Sequence, residues 1–272
     1  MTDIQEITKQ LEAGVKEVFT SEAYARYLKF MAQFHSYSVN NSLLIWMQKP
    51  DATLVAGYQT WLKKHKRQVK KGEKGIRILA PMTRKLTKTK KNQWGDLEEV
   101  EVSYTTFKPT TVFDISQTDG DEVPTICNEL SGDVAGYADL FKRLTEISPV
   151  PVEFEDIQTG ANGYYSHSEN LIRLKAGMSE VQTIKTLIHE ISHALLHCDV
   201  TGIEKDADRM TKEVQAESIA YAVCAMIGLD TADYSFEYIA GWSSGHDVKE
   251  LTASMEVVRK TANSIYEGIR AA

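Results

Sequence analysis

Apolar residues recur at three- and four-residue steps from the start of the chain, at Ile4, Ile7, Leu11, Val15 and Val18. That period puts them on one face of an amphipathic helix. Similar patterns predict helices over 23–34, over 41–48 before Pro50, and over 58–64. The period then changes. After a turn at Lys71-Gly72-Glu73, Gly75–Ala80 reads as a strand, and Val100–Phe107 and Thr111–Ile115 share its β-branched and aromatic character. Between them Lys85–Asp96 is polar and basic, and is expected to be a hairpin tip or mobile loop.

Helical periodicity dominates the second half of the chain. Leu130–Ile147, Val181–His197, Asp208–Ile227 and Asp247–Ile269 are expected helices, and Val152–Phe154 and Asn170–Lys175 expected strands. Gly228 is a plausible stop for the third helix. Asp247 with Glu250 has the spacing of a capping box. The last helix carries a stripe of Leu251, Met255, Val258, Ala262, Ile265 and Ile269. The expected class is α+β in two domains: a mixed α/β domain over 1–120 and a helix-rich domain over 126–272. The connection falls at Thr118–Thr125, TDGDEVPT, which has the composition of a solvated link.

A 42% apolar fraction in 272 residues supports buried cores and argues against bulk disorder. No apolar run approaches the roughly 18 residues of a membrane span. The opening segment is polar and acidic, without the apolar core of a signal peptide. Three scattered cysteines, Cys127, Cys198 and Cys224, suggest reduced thiols and a cytoplasmic protein. Charge divides the chain sharply. Residues 1–117 hold 19 Lys and Arg against 12 Asp and Glu, whereas residues 118–272 hold 12 against 26. Residues 63–91 alone contain 13 basic side chains and one acid, Glu73. A polyanion is the natural partner of such a stretch. The aromatics around it, Phe30, Phe34, Tyr37, Trp46, Tyr58 and Trp61, would let bases stack while phosphates meet lysines. Composition alone allows equally that they are core residues beside a soluble basic face.

The chemistry concentrates in His189-Glu190-Ile191-Ser192-His193. On a helix, residues four apart share a face, so two imidazoles converge on one metal ion while the glutamate stands beside it as a base. The motif lies inside the apolar-periodic helix of Val181, Ile184, Leu187, Ile188, Ile191 and Leu195. Glu213, on the next helix, is the expected third ligand of a gluzincin-like zinc site, and Glu217, one turn on, the expected brace for a histidine; the reverse assignment stays open. His197 extends the same face as a spare ligand or a supporting partner and is left outside the ligand set. Tyr164, Tyr165, Tyr234, Tyr238 and His246 are candidates for stabilising a transition state. The strand preceding the motif helix is the expected edge for an extended substrate.

Longer strings in the first half carry a resemblance. Phe34-His-Ser-Tyr-Ser-Val-Asn-Asn-Ser-Leu-Leu-Ile-Trp-Met-Gln-Lys-Pro50, Val55-Ala-Gly-Tyr-Gln-Thr-Trp61, Val69–Pro81 and Val112–Thr118 resemble the N-terminal domain of ArdC-type antirestriction proteins. His189–His193, Glu213, Glu217 and Asp233–Trp242 resemble the zincin-like metallopeptidase domain that comes after it. The resemblance implies a protein of mobile elements that shields incoming single-stranded DNA, with one Zn2+ per chain, and leaves open whether a protein is its substrate. On the matching positions it implies DNA binding by Tyr37, Asn40, Trp46, Tyr58, Trp61, Lys70, Lys71, Lys74 and Arg77, and the basic stretch adds Lys63, Lys64 and Arg67. Two alternatives stand beside it. One is a DNA-protecting binder whose metal is structural. The other is a regulatory peptidase resembling the ImmA/IrrE group, which cleaves a repressor.

Overall fold

The structure, a computed structural model, describes residues 3–91, 97–123, 136–198, 202–204, 206–229, 234 and 236–272. The α+β class holds. The chain forms two compact units, one of Met1–Leu11 with Leu44–Val123 and the other of Glu12–Leu43 with Pro124–Ala272. The division departs from the expected 1–120 and 126–272 in one respect: Glu12–Leu43 belong with the C-terminal residues.

The first unit is built on the antiparallel sheet β1-β4-β3, in which β1 (Val55–Gly57) and β3 (Ile76–Lys91) flank β4 (Leu97–Asp114). A ribbon of β2 (Arg67–Val69) and β5 (Thr118–Gly120) lies in the same unit. Ile76, Ile78 and Val112 are buried at the base of the sheet, next to helix α4 (Tyr58–Lys63). Trp61 of that helix is fully buried, and its indole N–H donates to the Phe113 carbonyl at 2.8 Å.

Lys85–Lys91 are strand rather than the expected loop; residues 92–96 lie outside the described residues. The reason is cross-strand pairing, with Leu86 opposite Val102, Arg84 opposite Tyr104, and Lys85 bonded to Glu101 at 3.1 Å. Alternation at period two was present in these residues, masked by their charge.

Asp114 closes the unit. Its carboxylate accepts from the backbone of Thr53 and Leu54 at 2.8 and 3.1 Å and from Ser116 at 2.9 Å. Gln117 returns the contact to the Asp114 N–H and reaches Glu73 and the Lys74 carbonyl. Burial opposes charge on Asp114, and the hydrogen bonds from Ser116, Thr53 and Leu54 outweigh it, holding its pKa below the usual range.

In the second unit, α6 (Glu180–Leu196) starts at Ser179, whose hydroxyl accepts from the Gln182 N–H. Helix α7 (Arg209–Met226) starts at Asp208, which caps Met210 and Thr211. The capping box of Asp247 and Glu250 opens α9 (Val248–Ala271). Helix α5 (Tyr137–Ile147) forms the later part of the expected 130–147 helix; residues 130–135 are outside the described residues. Helix α7 is buried on most of its circumference, through Val214, Ile219, Val223 and the small residues Ala216, Ala220 and Ala222.

Helices α1 (Asp3–Val18), α3 (Val39–Gln48) and α8 (Ile239–Ser243) are the other α-helices among the described residues, and α2 (Ser21–Gln33) is part of this core. Its Tyr24 is buried and shares a 2.8 Å hydrogen bond with Ser218 of α7. Tyr24 also meets the rings of Phe19 and Phe236, with centroids 5.3 and 5.1 Å away. This explains the division of the chain: sequence distance concealed an aromatic cluster that only packing assembles.

Behind α6 lies the sheet β6-β8-β7, of β6 (Val152–Glu155), β8 (Leu171–Lys175) and β7 (Gly163–Ser166). β6 runs parallel to β8, and β7 antiparallel at the sheet edge. Gly163 permits β7 to approach α6, because a Cβ there would stand 2.7 Å from Thr186 Cγ2 and 2.9 Å from the Arg173 carbonyl.

This packing can be tested at one residue in each unit. Tyr24→Ala is expected to destabilise the second unit by about 3–5 kcal/mol through cavity formation and loss of the Ser218 partner, read by denaturant unfolding. Asp114→Asn is expected to cost the first unit about 2 kcal/mol at pH 7. A depressed folded pKa stabilises above the unfolded value of about 3.9 and loses that contribution as pH falls through the folded value. The stability gap between wild type and Asp114→Asn should therefore close below about pH 4.

Candidate metal centre

Helix geometry brings the motif histidines together. His189 Nε2 and His193 Nε2 face each other at 3.0 Å. Glu213 Oε2 lies 3.6 Å from the first and 3.7 Å from the second. Two donors bound at about 2.0–2.1 Å to one tetrahedral ion stand about 3.3 Å apart, so the triangle has the size such an ion needs. Nitrogen and carboxylate donors of this kind suit a divalent cation.

Glu217 sits differently. Its Oε2 is 3.1 Å from His189 Nδ1, on the outer side of the ring. The geometry places Glu213 at the donor triangle and Glu217 behind His189. Burial opposes charge on His189, yet hydrogen bonds to Glu213 and Glu217 push its pKa up to about 10. The hydrogen bonds from His189 and His193 hold Glu213 well below the usual carboxylate range. A metal ion at this triangle would compete with a proton on His189.

Glu190 is buried, and burial raises its pKa despite the neighbouring histidines. Its carboxylate also accepts from the backbone N–H of Tyr165. A hollow of about 350 Å³ opens beside it, lined by Asn162 and Gly163 at the start of β7, by Lys185, His189 and Glu190 of α6, and by Tyr234.

The tyrosine candidates separate. Tyr234 lines that hollow, and Tyr238 borders a second one with Arg209, Met210 and Glu213. Tyr164 and Tyr165 are corrected: their hydroxyls bond Glu155 at 2.9 Å and Asn170 at 3.2 Å, so neither offers its phenol to the centre. His246 is corrected as well, since its Nδ1 is tied to the Trp242 carbonyl at 2.9 Å and it lines a separate hollow with Lys16 and Phe19. Cys224 is buried near Tyr234, while Asp233 and Cys127 lie outside the described residues.

The DNA-binding candidates are not gathered in one unit. Tyr37 and Asn40 belong to the second, the others to the first. Trp61 is corrected, because a fully buried indole has no face for a base. Arg67 is spent on the β2–β5 ribbon, donating to Thr118 and to the carbonyls of Gly120 and Asp121. Lys70 donates to the Ser116 carbonyl and lies 3.6 Å from Asp119. Lys63, Lys64, Lys71, Lys74 and Arg77 are exposed, Tyr58 is 43% exposed, and Trp46 is half-buried. Sequence reading missed Tyr104 and Phe107 on the β3–β4 arm, 43% and 57% exposed. Their signal was two aromatic residues set among Thr and Lys in an expected strand. For His197 sequence reading left a spare ligand and a supporting partner as alternatives. Among the described helices, none is long and apolar enough to cross a membrane.

Comparison with known proteins agrees with this architecture. Residues 3–113 match the family model of the N-terminal domain of anti-restriction factor ArdC. An uncharacterized protein of Bacillus anthracis, pXO2-81, is 28% identical over 306 residues, covering 98% of this chain and 51% of the relative. The chain spans about half the length of that relative. The Mn(II)-bound crystal structure of the antirestriction ArdC protein from plasmid R388 matches with a TM-score of 0.58 and 18% identity, over 99% of this chain and 98% of that one. The metal-free structure of the same protein matches with a TM-score of 0.53 and 20% identity, over 86% of each chain. The chain therefore shares the fold of those two structures, and its residues 3–113 match the model of the ArdC N-terminal domain.

Proposed function

We propose that the chain is an antirestriction protein that binds single-stranded DNA and carries a metal-dependent peptidase centre. The observation that carries the peptidase reading is the convergence of His189, His193 and Glu213 donor atoms beside the buried carboxylate of Glu190. A divalent cation held by these three side chains supplies Lewis acidity toward a water and a peptide carbonyl. The donor set is that of His2Glu zinc peptidases, which makes Zn2+ the proposed ion.

The protein's own groups perform the remaining work. Glu190 takes a proton from the attacking water and passes it to the leaving amine. Its raised pKa brings it closer to neutrality, where a base that must later act as an acid is most useful. Edge strand β7 pairs with an extended peptide through its outward main-chain groups. Tyr234 lines the hollow next to Glu190, and burial keeps its phenol protonated, so it can donate to the developing oxyanion.

DNA binding falls to the first unit. Exposed Lys63, Lys64, Lys71, Lys74 and Arg77 attract phosphates, and Tyr58, Tyr104 and Phe107 are the aromatic faces open to bases. Exposed Lys85 and Lys88 extend the basic surface along the β3–β4 arm.

Glu190→Gln is expected to retain the metal and to lose proteolysis of a denatured-protein panel by at least about 100-fold, because only the proton acceptor changes. Full protection of transferred DNA from restriction by this variant would favour a DNA-protecting binder with a structural metal instead. Glu213→Ala is expected to abolish stoichiometric metal in elemental analysis, whereas Glu217→Ala should weaken metal affinity about 10–100-fold. Fluorescence anisotropy with a labelled oligonucleotide should show single-strand binding that falls steeply with salt and drops further in Tyr58→Ala/Phe107→Ala. Salt-independent binding, or none, would remove the DNA reading.

A further inference from the structure

The histidine closing α6 has a partner at each ring nitrogen. His197 is 1% exposed, although it lies at the end of the helix. Its Nδ1 stands 2.9 Å from His193 Nδ1, and its Nε2 stands 3.0 Å from Gln215 Oε1. The Gln215 amide then donates from Nε2 to Ser254 Oγ of α9 at 3.3 Å. His189, by contrast, is braced on its outer nitrogen by the carboxylate of Glu217. The two histidines of the donor triangle are therefore supported by different chemistry.

We propose that His197 is a positioning residue that fixes His193 in its metal-binding tautomer through the relay His193–His197–Gln215–Ser254. The inference rests on the metal-centre reading and adds the means by which one donor is prepared. A carbonyl oxygen only accepts, so Gln215 Oε1 requires a hydrogen on His197 Nε2. Neutral His197 then has a bare Nδ1, which accepts from His193 Nδ1–H. That leaves His193 Nε2 bare, and this is the nitrogen facing His189 Nε2 and Glu213. Were the chain of donors reversed, the hydrogen would sit on His193 Nε2, where it would block coordination. The direction of the relay thus sets which nitrogen of His193 is available. A neutral imidazole does this without adding a further carboxylate to a centre that already holds Glu190, Glu213 and Glu217.

The test measures metal affinity rather than turnover, by competition of full-length protein with a chromogenic chelator for Zn2+ and Mn2+. Circular dichroism checks folding. Substitution with Co2+ gives the visible spectrum of the centre. His197→Phe keeps the ring's shape and removes both polar contacts; it is expected to lose about 10–100-fold in affinity and to shift the Co2+ bands. A second pair of variants carries the test independently if His197→Phe fails to fold. Gln215→Glu retains an acceptor facing His197 Nε2, and Gln215→Leu does not. The relay predicts affinity within about threefold of wild type for Glu and a loss of at least about tenfold for Leu. A merely structural role predicts the opposite order, because the apolar residue suits a buried position better than a charge. Wild-type affinity and an unchanged Co2+ spectrum in folded His197→Phe, or in Gln215→Leu, would overturn the relay and leave the metal centre standing. Absence of metal binding by the wild-type chain would overturn both.

Discussion

The second unit depends on the burial of α7. Four of its polar side chains each meet a different partner: Glu213 the donor triangle, Gln215 the ring of His197, Glu217 the outer nitrogen of His189, and Ser218 the hydroxyl of Tyr24. All four lie between Glu213 and Ser218, so the helix has no freedom to turn or slide. A shift of one residue rotates every side chain by about 100° and moves it about 1.5 Å, which would break all four contacts together. Small residues at Ala216, Ala220 and Ala222 keep the rest of the helix surface close to its neighbours. Packing of the core and placement of the centre are consequently one constraint rather than two.

The centre shows what that constraint achieves electrostatically. His189 is held between two carboxylates, whereas His197 is buried against an amide and the His193 ring, and burial lowers its pKa to about 4. Two histidines on a single helix thus have opposite proton affinities. For His197 burial dominates, against the opposing hydrogen bond to Gln215, whereas for His189 the hydrogen bonds to Glu213 and Glu217 of α7 overcome burial. The carboxylates that raise His189 come largely from α7 rather than from the motif.

The first unit separates recognition from structure in a different way. Several residues that make its strings recognisable hold the fold. Trp61 fills the core, Asp114 and Gln117 clasp the end of β4, and the Gln48 amide pairs with the main chain of Arg77 at 2.9 Å in both directions. Side chains left to meet a ligand are the exposed lysines and the aromatics of the arm, which are less distinctive as sequence. A motif can therefore identify a domain while saying little about which of its atoms touch DNA.

By itself the sequence determined the α+β class, the main helices with the capping box of Asp247 and Glu250, and the helical spacing that lets His189 and His193 converge. These are local: they need only the period of the helix and hydrogen bonds within a few residues. Tertiary structure decided the rest. It drew residues 12–43 into the second unit through Tyr24 and its ring neighbours, and turned Lys85–Lys91 into strand through pairing with β4. It also set Glu213 and Glu217 on different sides of His189, turned the phenols of Tyr164 and Tyr165 to other partners, placed His246 at a separate hollow, and gave His197 its place behind His193. Each of those outcomes depends on partners remote in sequence or on which side of a ring a group occupies, and neither spacing nor composition records that.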